Sequence, residues 1–254
     1  VRRLVSISTV LLLQLASTSC RNHPDPARAP EDAMVTVAAG AFTMGCTEGP
    51  GLCMTGGLDR PPHSVWLSAF AIDRTEVTER SYAACVAAGA CVAPSAGFDP
   101  ARDGALPVTN VGWDAASRYC RWAGKRLPTE AEWEKAARGT DERHYPWGDG
   151  PPRCDLANFE PCGAALRVAG SLPAGASMYG VLDMAGNAEE WVNDWFDSGY
   201  YGTAPERDPP GPAARSEHVV RGGSFRDDAW HSAVTVRMWD VGAPAPERGF
   251  RCAR

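Results

Sequence analysis

Cysteine and histidine are the residue types in this chain that could carry nucleophilic, redox or metal chemistry. Nine cysteines are present: Cys20, Cys46, Cys53, Cys85, Cys91, Cys120, Cys154, Cys162 and Cys252. In a chain with a secretory start, an odd total leaves one cysteine over for a covalent attachment, a metal or a free thiol. The five histidines, His23, His63, His144, His218 and His231, show neither an HxH nor an HExxH spacing. No helix face therefore presents two of them to one zinc or iron ion, and they read as isolated surface or hydrogen-bonded side chains. The nine tryptophans read mainly as core, with Trp230 or Trp239 as a candidate exposed ligand contact.

The elements that position these residues follow from the rest of the chain. Its 31 acidic and 25 basic residues give a net charge of -6 without a Lys/Arg block. A nucleic-acid reader must neutralise phosphates, so no nucleic-acid partner is expected. Arg2 and Arg3 precede an apolar run from Leu4 to Ala16, followed by Ser17, Thr18, Ser19 and Cys20. A short positive stretch, an apolar segment too short to span a bilayer, and small residues before a cut site read as a signal peptide over residues 1–19. Cys20 then resembles the acylated cysteine of bacterial lipoproteins, although Ser17 stands where that pattern usually has an aliphatic residue. Residues 20–33 are polar and Pro-rich, the composition of a lipidated tether. The expectation is a lipoprotein held to a membrane by its lipid, facing the periplasm or the cell surface.

Residues 34–254 carry no internal repeat and no second linker, and can bury one substantial core. Three helices are legible. Thr78 can cap a segment reaching Val86, with Gly89 as its stop. The stretch 113–123 repeats Ala115/Ala116, Tyr119/Cys120 and Ala123 at helical spacing before Gly124. Thr129 and Glu132 form a capping box ahead of Trp133, Ala136 and Ala137, with Gly139 as the stop. Short strands are expected over 34–37, 41–44, 65–72 and 219–221, the last closed by Gly222 and Gly223. With 26 Gly and 21 Pro, loops fill much of the rest, and cross-links by disulfides or metal ions become useful.

Several ordered blocks resemble the formylglycine-generating enzyme (sulfatase-modifying factor) family. The longest runs from Val111 through Tyr119-Cys120-Arg121-Trp122 to Leu127-Pro128-Thr129-Glu130-Ala131-Glu132-Trp133. Others are Tyr145-Pro146-Trp147-Gly148, Asp183-Met184-Ala185-Gly186-Asn187-Ala188-Glu189-Glu190-Trp191, Arg221-Gly222-Gly223-Ser224-Phe225 and Gly249-Phe250-Arg251-Cys252. The resemblance covers 34–254 and implies a single irregular, loop-rich α+β domain related to the C-type lectin-like fold. Activity does not follow from it, because sites are grafted onto folds.

The family's founding members oxidise a peptidyl cysteine with a copper(I) ion held by two thiolates, ligands whose softness suits that ion. Matching Arg237 to the family's Arg puts Ala233 and Met238 at the two thiolate positions, so copper is not expected. Asp183, Gly186, Ala188 and Glu190 match the founders' calcium site, where side-chain and carbonyl oxygens wrap one ion. If they are not ligands, they are solvated acidic residues at the start of a helix ending near Trp195. Asn158 and the carbonyl of Phe159 would begin a second calcium site. Glu76 matches a pocket-side carboxylate and reads equally as a salt-bridge partner. Arg221 and Arg237 divide between internal ion pairing and lining the cleft.

With Cys20 lipidated, eight cysteines remain, an even number for an oxidising compartment. Cys46/Cys53, Cys85/Cys91 and Cys154/Cys162 are close enough in sequence to close local loops, and the family joins Cys120 to Cys252. The favoured reading is an envelope-anchored binding or assembly component. The competing one is a formylglycine-generating-type oxidase acting on a peptide cysteine or a siderophore-type substrate.

Overall fold

The computed structural model describes residue 1, residues 33–47 and residues 53–254. The signal peptide over 1–19, the tether over 20–33, His23 and the lipid site at Cys20 lie outside the described residues or rest on ones that do. Among the described residues, no helix is long and apolar enough to cross a membrane.

Among the described residues, eight short strands and three α-helices make an irregular α+β domain. Strands β1 (Met34–Val37) and β4 (Phe70–Asp73) form one antiparallel pair, β2 (Gly40–Met44) and β3 (His63–Leu67) another. The third sheet has four strands in the order β7 (Arg237–Asp240), β6 (His218–Arg221), β5 (Glu189–Trp195), β8 (Arg248–Phe250), with β5 and β8 parallel.

Two expectations fail here, for identifiable reasons. The single strand over 65–72 is two strands, because β3 pairs with β2 while β4 pairs with β1 in a separate sheet. Asp208 pins the break: its two carboxylate oxygens accept from Ser68 N at 2.7 Å and Ser68 Oγ at 2.9 Å. The segment ending at Trp195 is the inner strand β5, not a helix. Neighbours on both edges satisfy its backbone, and pairing of that kind overrides an acidic helix-start signal.

The helices follow their caps. In α1 (Glu79–Ala87), Thr78 Oγ1 accepts from Ser81 N; in α2 (Trp113–Trp122), Ala123 is the C-cap. The capping box of α3 (Glu130–Arg138) is complete: Glu132 N donates to Thr129 Oγ1 at 3.2 Å and Thr129 N to Glu132 Oε2 at 2.8 Å. Trp133, Ala136 and Ala137 are fully buried as their spacing implies, but the charged residues of α3 are buried too. This helix runs through the interior rather than over it. It packs beside β2, β3 and β5, so ionic partners must come from those strands and the loops around them.

Four disulfides tie the loops together: Cys46–Cys53, Cys85–Cys91, Cys154–Cys162 and Cys120–Cys252. The first three close short loops. The last joins α2 to the C-terminal residues across a sequence separation of 132.

Candidate functional site

The loop that leads into β5 holds the residues matched to calcium. Its backbone is unusual: Asp183, Gly186 and Asn187 have φ of 55°, 73° and 64°. Left-handed conformations cost a non-glycine residue about 1–2 kcal/mol, so each needs fixing from outside. Gly186 N donates to Gly222 O at 2.8 Å, and Asn187 N to Asn158 O at 2.7 Å. A Cβ on Gly186 would lie 2.2 Å from Asn158 O, so only glycine lets the two backbones approach. The Asn187 side chain is fully engaged. Its Nδ2 donates to Glu76 Oε1 at 2.8 Å and Arg167 O at 3.3 Å, and its Oδ1 accepts from Asn158 Nδ2 and Arg167 N.

Charge is concentrated around this loop. Glu190 is fully buried, and Arg251 holds it through Nε to Oε2 at 2.7 Å and NH2 to Oε1 at 2.6 Å; Trp133 Nε1 donates to Oε2 at 2.8 Å. Arg251 also donates to the carbonyls of Leu182 and Asp183, at 2.9 and 3.3 Å. Asp183 Oδ2 accepts from Gly170 N. Glu76 is the less compensated carboxylate. Its Oε2 is buried with no donor bonded to it, and the carboxyl lies against that of Asp183. Burial, with the negative charges of Asp183 and Glu190, pushes its carboxyl well above the usual range, against the pull of Arg251. Three carboxylates thus share one guanidinium.

A buried carboxyl packed against a second carboxylate is costly unless a shared proton or a cation offsets the repulsion. The donors present are carboxylate, amide and carbonyl oxygens, a hard set that suits calcium. Of the expected set, Asp183, Gly186 and Ala188 lie in this loop and Glu190 in the first residues of β5, with two differences from the expectation. Glu190 is committed to Arg251, and the open carboxylate is Glu76, which hydrogen-bonds Asn187 and lies beside the loop instead of in a salt bridge.

The second expected site does not stand apart. Asn158 bridges to Gly186 and belongs to the same cluster, where its Oδ1 is also buried without a partner. The Phe159 carbonyl accepts from Cys162 N at 2.7 Å within a turn. Asn187 was not singled out from the sequence, and its signal was its place between Gly186 and Ala188 in a block otherwise read for oxygen ligands.

The segment 230–240 is packed by ion pairs. Ala233 is fully buried in a cluster with Met54, Tyr145 and Val236, whereas Met238 lies on β7 with 37% of its surface exposed. Arg237 grips Glu130 through Nε and NH2 at 2.8 and 2.7 Å, lies over the Tyr201 ring and donates to Leu58 O. Arg221 pairs with Glu134 and donates to the carbonyls of Val234, Thr235 and Val236. Both arginines pair within the interior. Trp230 and Trp239 are half-buried, the latter stacked on Phe196 at 4.2 Å.

The histidines are scattered. His63 and His144 pack against Tyr201 and Tyr145, and His231 pairs with Asp228 at 2.8 Å. His218 is sandwiched between Trp113 and Trp195 at 4.0 and 3.8 Å. Among the described residues, the one group of three Cys, His, Asp or Glu side chains with ligand atoms all within 4.8 Å of each other is Cys46, Cys53 and Asp59. The 183–190 cluster would thus rely on carbonyls as well as carboxylates.

Comparison with known proteins agrees with this architecture. Residues 20–254 match the sulfatase-modifying factor enzyme 1-like domain. The formylglycine-generating enzyme of Streptomyces coelicolor is 33% identical over 298 residues, covering 93% of this chain and 94% of that protein. The inactive C-alpha-formylglycine-generating enzyme 2 of Mus musculus is 38% identical over 164 residues, covering 58% of this chain and 49% of that protein. Among solved structures, PvdO from Pseudomonas aeruginosa superposes with a TM-score of 0.75 at 25% identity, covering 91% of this chain and 99% of that one.

Proposed function

Because the chain belongs to the sulfatase-modifying factor (formylglycine-generating enzyme) family, we propose that it keeps the family's fold as an envelope-anchored binding or assembly component and does not run copper-thiolate oxidation. One observation carries this reading. All eight cysteines of residues 34–254 are paired in disulfides, while Ala233 and Met238 occupy the positions matched to the thiolates. A thioether and a methyl group cannot replace two anionic sulfurs as copper(I) ligands. In this reading Asp183, Gly186, Ala188 and Glu190, with Glu76 beside them, hold a structural calcium ion. When bound, that ion would neutralise the excess carboxylate charge and fix the left-handed loop. Cys20 as a lipid anchor completes the proposal.

The near full-length similarity to the Streptomyces coelicolor enzyme favours the second reading, an oxidase of the formylglycine-generating type. The two separate in one experiment. The purified, disulfide-intact chain is mixed with copper(I) supplied as its acetonitrile complex and a cysteine-containing peptide, and oxygen consumption is followed. The binding reading expects no stoichiometric copper and no oxygen uptake above the protein-free rate. Copper bound one to one with peptide-dependent oxygen consumption would establish the oxidase.

A further inference from the structure

Among the described residues, Cys53 is the disulfide cysteine whose sulfur accepts a hydrogen bond from a charged side chain, with Arg60 NH2 2.9 Å from its Sγ. Beside it lies Asp59, fully buried. Asp59 Oδ2 accepts from Met54 N at 2.9 Å, while Oδ1 is buried without a hydrogen-bond partner. A carboxylate oxygen of Asp59 and both sulfurs lie within 4.8 Å of one another. A disulfide that only staples a loop needs neither a guanidinium on its sulfur nor an unsatisfied carboxylate at its back. A cation beside a cysteine favours the thiolate, and a neighbouring carboxylate can take up and return a proton.

We propose that Cys46–Cys53 is a reversible thiol–disulfide exchange couple that accepts two electrons from a partner dithiol. Cys53 is the more exposed of the two, 9% against 1% for Cys46, so attack falls there. The first partner thiolate bonds to Cys53 Sγ, the Cys46–Cys53 bond breaks, and its electron pair leaves on Cys46 Sγ, which takes a proton through the Asp59 carboxylate. The second partner thiolate then attacks its own mixed-disulfide sulfur and expels Cys53 as a thiolate beside Arg60. The partner is oxidised to a disulfide and releases two protons. The couple gains two electrons and one proton, and the other proton passes to water. The reverse steps oxidise the couple and reduce a partner disulfide.

The couple adjoins the segment where the family would carry its thiolates. Met54 Sδ accepts from Arg237 N at 3.3 Å, and Leu58 O from Arg237 NH1 at 3.1 Å.

The full chain is equilibrated with mixtures of reduced and oxidised dithiothreitol, alkylated, and mapped by mass spectrometry. Cys46–Cys53 is expected to open at a reduced-to-oxidised ratio about tenfold or more below that needed for the buried Cys85–Cys91 and Cys120–Cys252. In the partly reduced protein, Cys53 should alkylate at pH 7 faster than an unstructured thiol peptide. Arg60→Ala should slow it about three- to fivefold, as a lost thiolate fraction outweighs the gain in nucleophilicity, and Arg60→Lys should largely restore it. The Cys154–Cys162 pair, exposed at Cys154, is the control, since it can open through exposure alone but should ignore changes at Arg60. Opening of Cys46–Cys53 only together with Cys120–Cys252 would overturn the proposal, as would a Cys53 rate equal to the peptide's and indifferent to Arg60.

Discussion

Replacing Cys120 and Cys252 together by alanine tests how the C-terminus is held. A cross-link removes conformational entropy from the unfolded chain in proportion to the logarithm of the loop it closes. With a separation of 132 residues, that relation gives about 5 kcal/mol. The Cys85–Cys91 bridge has a separation of 6 and by the same relation contributes about 2 kcal/mol. Both pairs are buried, so the alanines remove similar packing and the contrast isolates loop length. Urea unfolding followed by tryptophan fluorescence should therefore show Cys120→Ala/Cys252→Ala losing roughly 3 kcal/mol more than Cys85→Ala/Cys91→Ala. In thermal unfolding the larger loss corresponds to a fall of about 10–20 °C for a domain of this size. If folding at 25 °C is lost, trimethylamine N-oxide added equally to both variants restores a measurable transition. Equal losses, or a larger loss for the short bridge, would refute the entropic account and point to residual structure in the unfolded chain.

Chelating calcium should lower the melting temperature by about 5–10 °C if the ion had been present at about a hundredfold its dissociation constant, and the drop should vanish in Asp183→Ala; an unchanged melting temperature removes the calcium assignment. Burial and the nearby charge of Glu130 push Asp194 up to about 8 from 3.8. The folded chain then binds more protons than the unfolded one between those values, so stability present below pH 4 is lost as pH rises towards 8; thermal melts should show that decline flattened in Asp194→Asn, and an unaltered slope would place the titration elsewhere. Glu134→Gln leaves Arg221 and Arg138 facing a neutral group in a dry interior, and should cost about 3–5 kcal/mol in chemical denaturation; a loss below about 1 kcal/mol would mean water reaches these guanidinia. Gly186→Ala must push Asn158 away at a left-handed φ, so calorimetric calcium titration should show binding weakened at least tenfold, and unchanged affinity would separate the loop from the ion.

Local signals were legible where local physics decides the outcome. Thr129 and Glu132 satisfy each other's backbone within one helical turn, so the start of α3 could be read without knowing its neighbours. The break between β3 and β4 could not, because it is set by Asp208, about 140 residues away. The same limit hid the charge of α3. Glu130, Glu134 and Arg138 lie beside the stripe of Trp133, Ala136 and Ala137, and Arg237, Arg221 and loop carbonyls supply their partners from distant sequence. At the candidate metal loop, block similarity pointed to Asp183 and Glu190. The commitment of Glu190 to Arg251 and the open oxygen of Glu76 depend on side-chain pairing that no spacing encodes.

The C-terminal residues hold the scaffold together independently of the 230–240 segment. Asp73 accepts from Cys252 N and from Lys125 Nζ, and Arg251 reaches Glu190 and the carbonyls that open the metal loop. The disulfide, the ion pair and the loop therefore close on one another around the inner strand β5. The 230–240 segment is anchored separately, through Arg221 to Glu134 and Arg237 to Glu130, and neither pair calls on a thiolate or a copper ion. None of these contacts uses the side chain of Ala233 or Met238. Ala233 and Met238 can therefore vary without loosening either anchor, which the proposed lack of a thiolate pair in a chain of near full-length similarity requires.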